Sequence, residues 1–263
     1  MKGNVRMTVI YKGIRVRLYP TMEQEILIDK TIGCVRFVYN KTLENCKQSY
    51  EQTQHFPSGK ERSANLVPLK KEHEFLKEVS AVALVQSIRD LDSALSNFFK
   101  NRNHFGFPRF KSKHNQKQSY RTPYSNNKDG VLDNKHIKLP KLGKVRTKKF
   151  LVPNEYKLCN ITVEKTNSNR YYASICIETE VQQLPKTGKQ VGFDLGLIDL
   201  LIGSDGTRYE RHKFSYAFKA KLTQEQCKLS KMRTKLERVN ANLDECKNYQ
   251  KQKRKVAKLH EHV

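Results

Sequence analysis

The sequence predicts a mixed α+β protein, and three patterns carry this prediction. Apolar residues recur at helical spacings of three and four over two stretches, 21–54 and 80–98. Short runs that alternate apolar and polar residues fill 131–182, between Gly, Asn and Pro turns. A further unit starts at Gln190 with strand-like runs and continues into a long helical segment. Strands and helices in separate stretches of chain are typical of α+β folds.

The first predicted elements are a strand and a capped helix. Alternation over residues 5–19 predicts one strand, or a hairpin that turns at Lys12-Gly13. Thr21 and Gln24 have the spacing of a capping box, which predicts a helix that runs to about residue 54. Gly33 inside this helix indicates close packing against another helix.

A second helix is expected after Ser80, which is placed to cap it. Its apolar residues follow spacings of 4, 3, 4 and 3, a stripe that predicts core packing: Leu84, Ile88, Leu91, Leu95 and Phe98.

The charge of the chain predicts an acidic partner. The 263 residues include 51 Lys+Arg and 26 Asp+Glu, a formal net charge of +25. Nucleic acid is the favoured partner, because neutralised phosphates release condensed counterions. An anionic membrane surface and a merely basic soluble or ribosomal protein are the alternatives. No apolar run is long enough to span a bilayer, and residues 1–11 do not form a secretory signal, so a cytoplasmic, nucleoid-associated protein is expected.

The cysteines predict no zinc site. Six are present, and no two of them have the C-x-x-C spacing of a zinc ribbon or finger. Their scatter is typical of thiols in a reducing compartment. His260 and His262 are of a residue type that can bind a metal, but solvated histidines are the more ordinary interpretation.

A basic–aromatic segment, residues 100–121, is the favoured nucleic-acid contact. It contains no acid, and aromatic residues are interleaved with seven cations, which are Lys100, Arg102, Arg109, Lys111, Lys113, Lys117 and Arg121. Cations contact phosphates, and aromatic rings such as Phe105, Phe107, Phe110 and Tyr120 stack on unpaired bases. The alternative is a solvated loop whose aromatic side chains fill the local core.

The strands of 131–182 predict a small barrel or sandwich, and a linker follows at 184–189. In the last unit, leucines at 222, 229, 236 and 243 predict a heptad seam over about three repeats. The register then breaks, which predicts a helical hairpin that turns near 242–248. Residues 211–263 carry fifteen cations against five acids, a local net charge of +10.

The pattern GFDLG at 192–196 is the main chemical signal. An acid at the end of a strand between glycines suits a metal site in which Mg²⁺ ions hold the oxygens of a phosphodiester. The phosphate loop of actin-like kinases and an ordinary acidic strand end are the alternatives. Asp194 alone cannot hold two Mg²⁺ ions, and no later acid has a convincing context as its partner.

Several motifs together resemble the TnpB (OrfB) proteins of bacterial insertion sequences, relatives of type V CRISPR effectors. They occur in the family's order over essentially the whole chain. The motifs are LYPT at 18–21, GCVRFVYN at 33–40, FLKEV at 75–79, RDLD at 89–92, FFK at 98–100, PRFKSK at 108–113 and VGFDLGL at 191–197.

The resemblance implies a wedge-type β-barrel with an inserted helical lobe, followed by the N-terminal part of an RNase H-like (RuvC) domain that ends in a helical hairpin. The implied boundaries are 1–20 for the first barrel strands, 21–104 for the helical recognition lobe, 105–185 for the rest of the barrel, and 188–263 for the partial RuvC-like domain, with strands at 190–212 and helices at 214–263.

The resemblance also implies functional residues and partners. Asp194 matches the first of three RuvC acids and one ligand of an incomplete Mg²⁺ site, while the other acids and the family's zinc ribbon have no counterpart here. Guide RNA and target DNA are the implied partners. Combining the charge pattern with the resemblance, the expected nucleic-acid contacts are Arg36, Lys100, Phe107, Arg109, Phe110, Lys111, Lys113, Tyr120, Arg254 and Lys255.

Three functions follow from this resemblance. The chain is expected to be a C-terminally truncated nucleic-acid-binding protein that is inactive as a nuclease on its own. One alternative is an active Mg²⁺-dependent RNA-guided endonuclease completed by a separately encoded C-terminal fragment. The other alternative is an RNA-binding transcriptional repressor.

Overall fold

The computed structural model divides the chain into two compact units. Unit 1 comprises Met1–Thr166 and Arg170–Gln182, and unit 2 comprises Asn167–Asn169 and Gln183–Val263. The residues that the structure describes are 7–114, 118–124, 130–182, 188–211 and 214–261. Within them, strands and helices confirm the predicted α+β class.

The described part of unit 1 contains an antiparallel sheet of seven strands. They are β1 (Met7–Tyr19), β2 (Gln118–Pro123), β3 (Val131–Asp133), β4 (His136–Leu139), β5 (Gly143–Thr147), β6 (Lys157–Lys165) and β7 (Tyr171–Gln182). Their order across the sheet is β2-β6-β7-β1-β5-β4-β3. No pairing between β2 and β3 is seen in the described part of the chain, where the sheet is open at these two strands.

Strand β1 is continuous, so the alternative of a hairpin at Lys12-Gly13 is wrong. Gly13 pairs with Cys176 within an uninterrupted register that joins β1 to β7 from Met7 to Leu18. At its end the same strand also pairs with β5, through Leu18 and Tyr19. The long strand therefore connects the two halves of the sheet.

Among the described residues, five helical elements lie between β1 and β2. They are α1 (Met22–Thr53), α2 (Gly59–Ala64), α3 (Leu66–Glu72), a 3-10 turn (Glu74–Lys77) and α4 (Ala81–Lys100). Helix α1 starts with the predicted capping box between Thr21 and Gln24. The Gln24 Nε2 also donates to the carbonyls of Leu142 (3.1 Å) and Lys144 (2.9 Å), so the same side chain fixes the helix start to the sheet.

Two helix predictions need correction. Ser80 is the N-cap residue of α4, but its side chain makes no capping hydrogen bond. Gly33 does not mark close packing, because a Cβ placed on it would meet no atom within 4 Å. The predicted stripe of α4 is confirmed from Leu84 to Leu95, and Phe98 is only half-buried.

The core of unit 1 lies between the sheet and helices α1 and α4. Ile28 and Leu84 from the helices and Ile161 and Ile175 from the sheet are fully buried in one cluster. A smaller cluster forms between the two helices, from Tyr39, Leu43, Leu91 and Leu95, and Phe107 packs against it. This second cluster brings the basic–aromatic segment to the helices.

As far as the structure describes it, unit 2 contains a three-stranded sheet and two helices. The strands β8 (Phe193–Asp194), β9 (Asp199–Gly203) and β10 (Arg208–Glu210) are antiparallel in the order β10-β9-β8, and they match the three predicted strands. Helices α5 (Phe214–Arg238) and α6 (Lys247–His260) form the predicted helical hairpin.

The hairpin turns earlier than the heptad pattern predicts. Asn240 has φ 49°, and the N–H groups of Asn240 and Ala241 bond to the carbonyls of Glu237 (3.1 Å) and Leu236 (3.0 Å). This is a Schellman motif, which ends a helix at a left-handed residue. The heptad seam therefore stops at Leu236, and Leu243 lies in the turn rather than on the helix.

Within the described residues, no helix is long and apolar enough to cross a bilayer.

Candidate nucleic-acid interface

Helix α1 holds the basic–aromatic segment through Asn40. Its side-chain oxygen accepts the Lys111 backbone N–H at 2.8 Å, and its side-chain nitrogen donates to the Lys111 carbonyl at 2.9 Å. These two bonds are the pair that an adjacent β-strand residue would make. The Lys111 Nζ also lies 4.0 Å from the centroid of the Tyr39 ring. Neighbouring residues of α1 thus fix both the backbone and the side chain of Lys111.

Aromatic rings provide a second attachment of the segment. The half-buried Phe107 ring meets Phe98 edge-on at 5.3 Å, which packs the segment against α4. The Lys47 Nζ lies 4.7 Å from the Phe110 ring centroid and 5.7 Å from that of Phe107. Phe110 nevertheless remains 50% exposed. Phe107 therefore serves as an anchor, while Phe110 presents an aromatic surface to solvent.

The cations beside Lys111 are free to contact phosphates. Arg109 and Lys113 are exposed, and neither forms an ion pair with any residue that the structure describes. Lys111 itself is partly desolvated: burial lowers its pKa, the Asp90 carboxylate opposes this shift, and Arg121 adds to it. Arg109 and Lys113 are thus the side chains of the segment best placed for a phosphate backbone.

The position of Tyr120 contradicts one of the predicted nucleic-acid contacts. It is 3% exposed, because on strand β2 the side chains of Tyr120 and Thr122 alternate inward while Ser119 and Arg121 do not. Among the described residues its hydroxyl has no hydrogen-bond partner, and burial raises its pKa. The ring is part of the core, so the prediction that it contacts nucleic acid is wrong.

Arg36 and Lys100 flank the segment in different environments. Arg36 is half-buried and its Nη1 donates to the Gln118 Oε1 at 2.8 Å, which ties α1 to β2. Lys100 is exposed at the last turn of α4. The expected contacts of Arg36 and Lys100 with nucleic acid remain predictions.

In unit 2 a basic cleft lies along helix α6. Its volume is about 580 Å³, and its lining includes the predicted Arg254 and Lys255 together with Lys251 and Lys258. No acidic side chain lines this cleft in the described part of the chain. Four cations at helical spacing on one cleft favour a polyanion such as a phosphate backbone.

A buried acid joins the two helices of the basic hairpin. The Glu225 carboxylate of α5 accepts hydrogen bonds from Gln252 (2.7 Å) and Lys228 (3.1 Å), and it lies 3.0 Å from the Lys255 Nζ. The bonds from Gln252, Lys255 and Lys228 lower the pKa of Glu225 to about 2. Lys255 therefore has a structural partner on α5 in addition to its place in the cleft.

Asp194 lies exposed on β8, opposite Ile202 of β9. The neighbouring Gly192 N–H donates to the Ser204 side chain at 3.0 Å, which closes the turn beside the strand. Asp199, at the start of β9, lies 3.8 Å from Arg208. In the described ranges no three His, Cys, Asp or Glu side chains lie together as metal ligands would. These residues do not by themselves form the carboxylate set of a two-Mg²⁺ centre.

Two sequence profiles of one insertion-sequence family match the chain. The IS605 OrfB "Helix-turn-helix domain" matches residues 7–55, and the IS605 OrfB "Probable transposase" domain matches residues 174–263. The "Putative RNA-guided DNA endonuclease" of Streptomyces pristinaespiralis is 30% identical over 262 residues, which cover 98% of this chain and 61% of the relative.

Two further curated proteins are similar. The "Putative RNA-guided DNA endonuclease InsQ" of Escherichia coli (strain K12) is 33% identical over 254 residues, 95% of this chain and 58% of the relative. The "Virulence protein VsdF" of Salmonella dublin is 34% identical over 112 residues, 39% of this chain and 94% of the relative. The chain belongs to the IS605 OrfB (TnpB) family.

The OrfB chain spans about three fifths of the two endonuclease-named relatives, at 61% and 58% of their lengths. Among solved structures, a chain of the Cas12f1–sgRNA–target DNA complex aligns with 88% of this chain and 66% of its own length, at 13% identity and a TM-score of 0.28.

The first matched region of this OrfB chain does not contain a helix-turn-helix. Residues 7–55 form β1 and the single helix α1, which continues without interruption from Met22 to Thr53. A recognition helix of the helix-turn-helix type enters the major groove after a short turn, and that geometry is absent from this described region. Its side chains instead support the basic–aromatic segment.

Sequence reasoning missed the residues that hold the OrfB interface together. Tyr39, Asn40 and Lys47 of α1 contact the segment, and Lys251 and Lys258 complete the cleft around Arg254 and Lys255. Asn40 is only half-buried, so its position on α1 gave no signal of a partner. The segment that it binds lies 71 residues away in sequence, so its partner was not visible.

Proposed function

We propose that this OrfB-family chain binds single-stranded nucleic acid, guide RNA and unwound target DNA, through the basic–aromatic segment. The observation that carries the proposal is the attachment of Lys111 to Asn40, which holds Arg109 and Lys113 beside the exposed Phe110 ring. Neither cation has an ion-pair partner among the described residues. Cations that follow a backbone and a ring that stacks on bases are the two parts of a single-strand site. The names of the two longer relatives support the same partners.

The basic cleft of unit 2 is proposed as a second phosphate contact. Lys251, Arg254 and Lys258 line it without an acid among the described residues. Because sequence-independent binding comes mainly from phosphate neutralisation, this cleft adds affinity and salt dependence rather than base preference.

For the fold, we propose that β1–β7 correspond to the wedge-type barrel expected from the resemblance, with an opening between β2 and β3 in the described residues, that α1–α4 form its inserted helical lobe, and that unit 2 is part of a RuvC-type domain. Asp194 would then be its first acid. We propose that the chain alone does not hydrolyse phosphodiesters, because Asp194 lacks companion carboxylates among the described residues and two-metal hydrolysis needs several oxygen ligands.

The test measures the binding of a labelled single-stranded 20-mer, as RNA and as DNA, across a range of salt concentrations. The variant Arg109→Gln with Lys113→Gln should bind more weakly and flatten the slope of log K against log salt by about 1.4, since each lost contact to a single strand contributes about 0.7. The control carries Lys60→Gln and Lys71→Gln, which remove two exposed cations from α2 and α3. An equal loss of slope in both variants would contradict a contact localised to the segment.

A second candidate function is a nuclease completed by a separate polypeptide that supplies the missing acids. The favouring observation is the apolar surface near Asp194, where Leu197 and Ile198 are 85% and 89% exposed. A group of neighbouring exposed apolar residues, here with Leu195 as well, is a feature of surfaces that another chain covers. Cleavage of DNA by this chain with Mg²⁺ alone, lost in Asp194→Ala, would contradict the proposal of an inactive chain. Cleavage that appears only with an added polypeptide would favour the second candidate.

A further inference from the structure

A cavity beside α1 differs in character from the basic surfaces of the protein. It has a volume of about 620 Å³ and lies between the middle of α1, residues 72–73 and Phe110. This volume is within the range of roughly 300–1,000 Å³ that is common for small-molecule sites. All of its lining residues belong to unit 1.

Two phenylalanines give the cavity aromatic walls. Phe37 is held in place by edge-on contacts with His73 at 4.9 Å and Phe75 at 5.4 Å between ring centroids. Phe110 reaches the cavity from the basic–aromatic segment, and its ring also contacts the Lys47 ammonium. A cation near an aromatic ring is attracted to its face. Phe37 is therefore packed between two rings before any ligand arrives, and Phe110 keeps an exposed surface on which a ligand can stack.

The polar lining of the cavity is balanced in charge, although the whole chain carries +25. The cations are Arg36 and Lys41, and the acids are Glu44 and Glu72. Lys41 and Glu44 pair with each other at 2.7 Å. Carboxylates would repel a phosphate, whereas the edge of a nucleobase offers amino donors to carboxylates and carbonyl acceptors to cations.

Gly33 keeps one wall of the cavity open. It lines the cavity, and a Cβ at this position would meet no atom within 4 Å. A larger side chain on this face of α1 would extend into the cavity rather than into the core. Gly33 therefore allows a test in which the site is filled without disturbing its neighbours.

We propose that this cavity holds one unpaired base of a single-stranded nucleic acid, stacked on Phe110 and Phe37, with its polar edge facing Arg36 and Glu72. This inference rests on the proposed function, and it adds a base-binding site to the phosphate contacts of Arg109 and Lys113. The ligand is a nucleobase of RNA or of DNA, and the two sources share the stacking chemistry.

The experiment compares base-bearing and abasic single-stranded DNA 20-mers, which carry the same number of phosphates, on the full chain. Phe110→Ala should weaken binding of the base-bearing strand about tenfold and leave binding of the abasic strand unchanged. Phe105→Ala is the matched control, because Phe105 lies in the same segment, is similarly exposed and does not line the cavity. Unchanged binding of the abasic strand also shows that each variant is folded.

A second variant tests the cavity rather than the ring. Gly33→Leu should reduce binding of the base-bearing strand by a similar factor, since its side chain occupies the space of the base. Strands of uridine and deoxyuridine identify the source, because the strand that loses more affinity in Phe110→Ala is the one whose base enters the cavity.

The outcomes separate this inference from the proposed function. Equal effects of Phe110→Ala and Phe105→Ala, equal losses on abasic and base-bearing strands, or full binding by Gly33→Leu would each overturn the base site while phosphate binding stands. If no strand binds in a salt-dependent manner, the proposed function is wrong, and the base site that rests on it is wrong as well.

Discussion

Units 1 and 2 differ in how completely they bury their apolar residues. In unit 1, Ile28, Leu43 and Leu84 are fully inaccessible. In the described part of unit 2, the buried apolar side chains are Tyr249, Val256 and Leu259, each 7–8% exposed. The connection between β8 and β9 also leaves Leu197 and Ile198 on the surface. Since burial of apolar area is the dominant stabilising contribution, unit 1 should be the more stable of the two.

This difference bears on where binding and chemistry can take place. The basic–aromatic segment is attached to α1, whose inner face belongs to the core of unit 1. Asp194 instead lies on the two-residue strand β8. A site whose support is rigid keeps its geometry before the ligand binds, whereas an acid on a sparsely packed sheet needs further contacts to be fixed. Unit 1 is thus suited to recognition without help from other chains.

The largest expected effect is that of a core leucine. Leu84→Ala in α4 should lower the free energy of unfolding of unit 1 by about 2–5 kcal/mol, because it leaves a cavity in a fully buried site. The matched substitution Leu229→Ala on α5, where the side chain is only half-buried, should cost about 1 kcal/mol in unit 2. Urea unfolding followed by circular dichroism measures both. Equal losses would contradict the comparison of the two cores.

The next effect concerns the attachment of the segment to α1. Asn40→Ala removes two hydrogen bonds to the Lys111 backbone and should cost about 1–3 kcal/mol of stability. It should also weaken single-strand binding, because Arg109 and Lys113 are no longer held in place. Asn45→Ala is the control, since Asn45 is half-buried on the same helix and its side chain makes no hydrogen bond to the described residues. Similar losses in both variants would assign the effect to the helix rather than to the attachment.

Local signals predicted the elements, but not their contacts. The capping box of Thr21 and Gln24 involves neighbours in sequence, and so it was visible without a structure. The partner of Asn40 was not visible, because it comes from a distant part of the chain that has no periodic pattern. Composition also could not tell Phe110 from Tyr120, since both are aromatic residues among cations. Only the period of strand β2 places Tyr120 in the core.

The heptad prediction failed for a local reason. Leucine spacing alone continued the seam to Leu243, whereas the left-handed Asn240 ends the helix before that point. Asparagine tolerates this conformation better than most residues, and it was the available signal for an earlier turn. A periodic pattern predicts which residues share a face, but it does not by itself show where the helix ends.

A smaller effect on stability is expected at acidic pH, and it concerns the hairpin of unit 2 rather than the core of unit 1. The folded-state pKa of Glu225 is about 2, below its ordinary value of 4.5. A lowered pKa stabilises the folded state above pH 4.5, and this stabilisation is lost as the pH falls toward 2. Melting of the chain at pH values from 6 to 2 should show this loss, and Glu225→Gln should show less of it. A change of the same size in Glu237→Gln, an exposed acid of α5, would contradict the role of Glu225.

The smallest expected effect is that of Asp194. Because its side chain is exposed and belongs to no metal-ligand cluster in the described residues, Asp194→Ala should change stability by no more than about 0.5 kcal/mol. The affinity for single strands should also stay the same, since the proposed contacts lie in unit 1 and along α6. The salt titration used for Arg109 and Lys113 measures this directly. A clear loss of affinity in Asp194→Ala would mean that β8 takes part in binding, and the separation of binding from chemistry would then be wrong.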